Sequence, residues 1–151
     1  MLEFPSRSDL PAVSVEIRAG FMSHTFTEAC RDGAFPDANY SAPGDPRIFS
    51  LERYRLSHSL PAILDTIDGR RCYISNSGYG NHFVIEGLHE LPPSREYWVF
   101  LQLERVDRTI ARLRIRSAYA GRRDQAPYGR GRKSMMFREL LTRTLGLKAR
   151  R

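Results

Sequence analysis

The sequence predicts an α+β fold, a four- to five-stranded antiparallel sheet with helices packed on one of its faces. Three observations carry this. Along Tyr97–Tyr119, Tyr97, Val99, Leu101 and Leu103 alternate with Trp98, Phe100, Gln102 and Glu104, and after a polar break Ala111, Leu113, Ile115, Ser117 and Tyr119 alternate with Arg112, Arg114, Arg116 and Ala118. Period-two alternation in a segment this rich in aromatic and aliphatic residues is the signature of paired strands, with Arg105–Ile110 as the turn centred on Asp107-Arg108. Second, Leu60, Ile63, Leu64 and Ile67 fall at i, i+3, i+4 and i+7, one apolar stripe of a helix that can dock on a sheet. Third, Ser134–Leu145 places Met136, Phe137, Leu140, Leu141, Thr144 and Leu145 on one helical face, with Gly146 as the stop.

The other elements follow in chain order. Residues 1–11 hold no periodic pattern and are expected to be flexible. Ala12–Arg18 alternates Val13, Val15 and Ile17 with polar residues, a first strand that Gly20 breaks. Phe21–Cys30 reads either as a short helix capped by Ser23 or Thr25 or as an irregular lead-in. Residues 32–46, dense in Gly, Pro, Asp and Asn, form a long loop, mobile or partner-facing. Ser50 opens a short turn over Leu51–Tyr54. Ser57 or Ser59, with Pro61 near the first helical position, starts the second helix, and Gly69 ends it. Arg71–Ser75 and His82–Glu86 read as short strands around a turn whose two glycines and two asparagines accept positive φ. Leu91–Pro93 leads into the hairpin, a polar loop follows Tyr119, and residues 147–151 are a basic tail.

Composition bounds the function. The 151 residues suit a single domain spanning 1–151 that buries roughly two-thirds of its unfolded surface. No apolar run approaches the ~18–20 residues a bilayer span needs, and the first residues lack the apolar centre of a secretory signal. A cytoplasmic chain without a membrane partner is expected, with Cys30 and Cys72 read as two buried thiols in a reducing compartment, a disulfide between them being the alternative. The net charge of +7 is lopsided: residues 105–151 carry +12 and the rest −5, and all but two of the 24 basic residues are arginine. Arginine's planar fork suits phosphate, so RNA or another polyanion, or an acidic protein, is the expected partner. A solvated arginine surface without a partner is the other reading of the same excess.

Well-marked chemistry is missing. His24, His58, His82 and His89 show no metal-ligand spacing and do not cluster with the cysteines, so neither metal nor cofactor is expected. There is no phosphate loop and no nucleophile elbow. What remains is a set suited to metal-free RNA cleavage, in which the substrate's own 2′-hydroxyl attacks. His58 would be acid or base near neutral pH, Arg55 and Arg116 would stabilise the phosphorane charge, and Ser117 and Tyr119 would put two hydroxyls at a strand end. Nucleic-acid contacts are expected from Arg112, Arg114, Arg122, Arg123, Arg130, Arg132 and Lys133. The plainer reading makes Ser57-His58 a helix cap and Tyr119 a core-edge residue.

The run RIFSLERYRLSHSLPAIL, then RRCYIS with GYGNHFVIE, YWVFLQLER, LRIRSAY and KSMMFRELLTRTLG, resembles a family of uncharacterised bacterial proteins over roughly residues 21–147. More distantly, the element order and the Ser117-Ala118-Tyr119 strand end are similar to barnase/EndoU/colicin/RelE-type ribonucleases, including toxin and phage-borne members. That resemblance implies an endoribonuclease of toxin or phage-defence type. Two other readings stand beside it, a non-catalytic nucleic-acid-binding module and an interaction domain for an acidic partner.

Overall fold

The computed structural model describes residues 2–4, 13–74, 81–85, 91–127 and 134–147. In chain order the elements are β1 (Leu2–Phe4), β2 (Val13–Phe21), β3 (Thr27–Ala29), β4 (Arg47–Phe49), α1 (Leu51–Ser57), α2 (Leu60–Asp65), β5 (Arg71–Ile74), β6 (Asn81–Ile85), β7 (Arg95–Arg105), β8 (Ile110–Arg122), β9 (Ser134–Met136) and α3 (Phe137–Leu145). The fold is α+β, as its sequence pattern requires.

The long hairpin is its centre. β7 and β8 pair antiparallel from Arg95↔Arg122 to Arg105↔Ala111. The Asp107 carboxylate closes the turn by accepting from the Thr109 amide at 2.6 Å and the Ile110 amide at 2.8 Å. These bonds, the Thr109 amide first, hold its pKa below the ordinary carboxylate value. Tyr97, Val99 and Leu101 of β7 and Ala111, Leu113 and Ile115 of β8 are buried in one cluster with Leu56, Leu60, Ile63 and Ile67 and with Phe137, Leu140, Leu141 and Leu145 of α3. The helices thus cover one face, and each large apolar side chain buried there contributes on the order of 1.5–3 kcal/mol. Gly146 ends α3 in the left-handed conformation, φ 69°, with the Leu147 amide donating to Thr142 O at 3.0 Å.

The sheet is larger than the periodicity implies. Among the described residues it has seven strands, in the order β1-β2-β8-β7-β6-β5-β9. Nor is it wholly antiparallel, because β2 runs parallel to β8 from Glu16↔Ile110 to Phe21↔Ile115. The additions are three-residue edge strands, too short to show a period: Leu2–Phe4 pairs with Val13–Val15 inside the segment expected to be flexible, and Ser134–Met136 pairs with Arg71–Tyr73 where a helix start was expected. Phe21–Cys30 is no helix. A 3₁₀ turn at Ser23–Thr25 leads into β3, which pairs with β4 as a separate ribbon closing the 30–46 segment. That segment is tied at its base by Cys30 N to Pro46 O at 2.9 Å and Asp37 N to Arg47 O at 2.7 Å.

One irregularity governs the site. The β7–β8 register steps from Leu101↔Ile115 to Phe100↔Ser117, leaving Arg116 as an extra residue on β8. A bulge of this kind reverses which side chains face the core beyond it. Ala111, Leu113 and Ile115 point into the core before it, and Ala118 does so after it. Ser117 and Tyr119 are therefore on the opposite face from Leu113 and Ile115, where strict alternation had put them together.

Candidate functional site

Beyond Phe21 β2 leaves the edge of β8, and the chain wraps around that edge. Met22 N donates to Ile115 O at 2.9 Å and prolongs the pairing by one bond. The 3₁₀ turn then lies against β8, with the Ser117 hydroxyl donating to His24 O at 3.4 Å. Three contacts bring α1 to the same edge. Arg95 bridges Glu52, at 2.6 Å, to Ala120 O, at 3.0 Å, and the Arg53 guanidinium sits 4.8 Å over the Tyr119 ring.

A closed circuit of polar groups results. Arg53 Nη1 donates to His24 O at 3.2 Å and to Thr27 O at 2.7 Å. Arg47, buried on β4, donates to the same Thr27 carbonyl at 2.8 Å through Nη2, and its Nη1 reaches Asp45 Oδ1 at 3.4 Å. Asp45 Oδ2 in turn meets His24 Nε2 at 2.8 Å. Burial, and then the nearby Arg47 charge, pull the pKa of Arg53 below its ordinary value. Tyr119 is stacked on Phe100 with centroids 5.4 Å apart and meets Trp98 edge-on at 5.6 Å. Burial raises its phenol pKa, against a smaller opposing effect of Arg53.

The sequence-derived set is divided by this geometry. Ser117 and Tyr119 share the site. Arg116, in the bulge, is exposed and donates to Gln102 Oε1 at 3.1 Å. Arg55 and His58 do not join them: both are exposed on α1 and its end, and the His58 ring packs edge-on against Tyr54 at 4.7 Å. The reason is helical spacing. Arg53 lies three residues before the buried Leu56 and so shares its side of the helix, whereas Arg55 is about 200° around from Arg53. That signal was present in the sequence. Nothing comparable marked His24, Asp45 or Arg47, which meet only through the β3–β4 ribbon.

The face away from the helices carries the arginine row. Cross-strand pairs Arg18↔Arg112, Gln102↔Arg114 and Glu104↔Arg112 place these side chains on one face. Arg18 is paired with Glu16 at 2.8 Å and Arg114 with Glu104 at 3.6 Å, while Arg112 is exposed and makes no ion pair among the described residues. Arg122 is taken by Asp124 at 2.6 Å and Arg123 by the buried Glu96 at 2.8 Å. Arg130, Arg132 and Lys133 lie outside the described residues. Both cysteines are free thiols. Cys72 is buried and its pKa is pushed up to about 12 by desolvation, whereas Cys30 is half-exposed rather than buried. Among the described residues, no three His, Cys, Asp or Glu side chains converge, and no helix is long and apolar enough to cross a membrane.

The family model of the YjaZ family matches residues 2–145. No curated protein and no solved structure matches, so the resemblance to ribonucleases gains no support from these comparisons.

Proposed function

We infer that this chain, which belongs to the YjaZ family, binds a polyanion, nucleic acid first among them, on the arginine-bearing face of its sheet. The observation that supports this is the cross-strand placement of Arg18, Arg112, Arg114 and Arg116 on one face, with Glu16 and Glu104 beside them. Neighbouring positions on that face advance about 6.7 Å along a strand, so the row is a track and not a point. Such a surface draws its affinity from released counterions. Affinity for an oligonucleotide should fall steeply with salt, and Arg112→Glu should flatten the log–log slope by ~1 or more. Salt-independent binding, or none at low ionic strength, would remove this reading.

A second reading, metal-independent RNA cleavage, is favoured by the Ser117 hydroxyl on the backbone carbonyl of His24, with Tyr119 on the same face of β8 and the His24 ring held by Asp45. In that reaction the 2′-oxygen forms a bond to phosphorus as the bond to the 5′-oxygen breaks. A base takes the 2′-hydroxyl proton, an acid protonates the leaving oxygen, and a 2′,3′-cyclic phosphate end remains. A His–carboxylate pair suits the base better than His58, whose ring packs on Tyr54 and has no carboxylate partner among the described residues. Mixed RNA would be incubated in excess EDTA with wild type, His24→Ala, His58→Ala and Tyr119→Phe. A rate ~10²–10⁴-fold lower in His24→Ala than in His58→Ala would place the acid–base group on His24. The reverse ranking would return it to His58, and absence of cleavage by the folded wild type would leave the binding reading alone.

A further inference from the structure

Arg53 is a half-buried cation that makes no ion pair among the described residues. Its Nη1 donates to two backbone carbonyls, and the Tyr119 ring faces the guanidinium. Among the described residues no carboxylate pairs with it, and its Nε and Nη2 make no hydrogen bond. The acidic groups of the same circuit and helix are spoken for: Asp45 serves Arg47 and His24, and Glu52 is bound to Arg95 at 2.6 Å. Glu28 acts on Arg53 only at a distance, while Arg47 repels it across the shared Thr27 carbonyl. Removing a guanidinium from water is costly unless an anion or a set of acceptors replaces the lost hydration. A cation–π contact replaces only part of it.

The unused groups have a definite shape. Nε and Nη2 form one edge of the guanidinium, the edge that grips two oxygens of a phosphate at once. The Ser117 hydroxyl shares the His24 carbonyl with Arg53 Nη1, and among the described residues it is held only by that 3.4 Å contact, well beyond the usual O–H···O distance, so it is free to turn toward another acceptor. The site also continues the arginine row, since Ser117 directly follows Arg116 on β8.

We propose that Arg53 and Ser117 form a phosphate-binding site at the end of the arginine row, taking either free inorganic phosphate or the terminal phosphomonoester of a nucleic acid. The site rests on the polyanion reading of the row and narrows it, because a strand lying along the arginines would present its phosphorylated end to Arg53. The tyrosine behind the guanidinium fixes its plane, and the two carbonyls on Nη1 orient the open edge.

The test separates the site from the row. Affinities of wild type, Arg53→Gln, Ser117→Ala and Arg112→Glu would be measured for an oligonucleotide with and without a 5′-phosphate, and for inorganic phosphate by its effect on the thermal midpoint. Wild type should prefer the phosphorylated oligonucleotide by ~10-fold, a gain in line with one bidentate charge-assisted contact. Arg53→Gln should erase that preference while leaving the unphosphorylated oligonucleotide within ~2-fold of wild type, and Ser117→Ala should erase part of it. Arg112→Glu should weaken both oligonucleotides equally. A midpoint raised by inorganic phosphate in wild type, but not in Arg53→Gln, with no preference between the oligonucleotides, would identify free phosphate as the ligand. Equal binding of both oligonucleotides together with no effect of inorganic phosphate overturns the site, whereas the polyanion reading survives if that equal binding is salt-dependent. Should Arg53→Gln fail to fold, a Ser117→Ala variant with the full wild-type preference would overturn the site by itself.

Discussion

The two halves of β8 make opposite use of the same alternation. Before the bulge, Ala111, Leu113 and Ile115 fill the core while Arg112 and Arg114 line the far face. After it, Ala118 is the core residue, while Ser117 and Tyr119 turn to the far face and meet Arg53 and the 3₁₀ turn. The first half is built for stability: large branched side chains under helices, and β2 paired along its edge. The second half presents small residues to the core and spends its larger side chains on a polar site. One inserted residue separates a packing strand from a site-bearing strand, because side-chain direction along a strand has a period of two.

Removing the bulge should have the largest effect. Deletion of Arg116 together with Ser117 would remove the bulge and shift the parity beyond it, putting Ala118 opposite Phe100 on the far face and turning Tyr119 into the core opposite Val99. The expected loss is larger than that of any single core truncation here, read as a collapse of the denaturant midpoint. A deletion variant with near-native stability would show that the register can slip without penalty, and the contrast between the halves would fall.

Core truncations sharpen the contrast next. Ile115→Ala or Leu113→Ala should cost about 2–5 kcal/mol, because both side chains are essentially inaccessible and the cavity left behind cannot collapse freely. Ser117→Ala, two residues past Ile115, should cost well under this, since its hydroxyl makes one long contact. Equal losses at 115 and 117 in urea unfolding would contradict the assigned faces.

The far face of the second half has its own tight point. A Cβ built on Gly121 would fall within the Trp98 ring, which closes over that position with its Nε1 donating to Glu96 at 3.2 Å. Gly121→Ala should therefore cost about 1–3 kcal/mol and displace the indole, visible as a change in tryptophan fluorescence. An unchanged spectrum and midpoint would mean that the ring does not sit there.

The smallest expected effect is a gain. Tyr97, on the core side opposite Ala120, is fully buried, and among the described residues its hydroxyl has no hydrogen-bond partner. Its pKa lies above the ordinary phenol value because burial disfavours the phenolate. Tyr97→Phe should be neutral or stabilising by about 1 kcal/mol, since it removes a desolvated hydroxyl that gains nothing. A clear loss would show that the hydroxyl is satisfied and that this end of the core is polar by design.

The sequence by itself determined the hairpin, its turn at Asp107, the apolar stripe of α2, and the stop of α3 at Gly146, because each rests on local rules of period, turn chemistry and capping. It also determined the face of the arginine row, which follows from parity alone wherever the strand is regular. The tertiary structure alone decided the rest. Three-residue strands at the sheet edges are formed by their partners and not by their own propensity, and the parallel pairing of β2 with β8 joins segments nearly a hundred residues apart. The site was half legible. Ser117 and Tyr119 stood out as a hydroxyl pair, and helical spacing from Leu56 could have favoured Arg53 over Arg55. No local pattern encodes the bulge at Arg116, since nothing in a run of alternating residues announces that the partner strand skips one. His24 and Asp45 reach the site only because the β3–β4 ribbon folds the chain back on itself, a contact made by closure over distance and so invisible to any window of sequence.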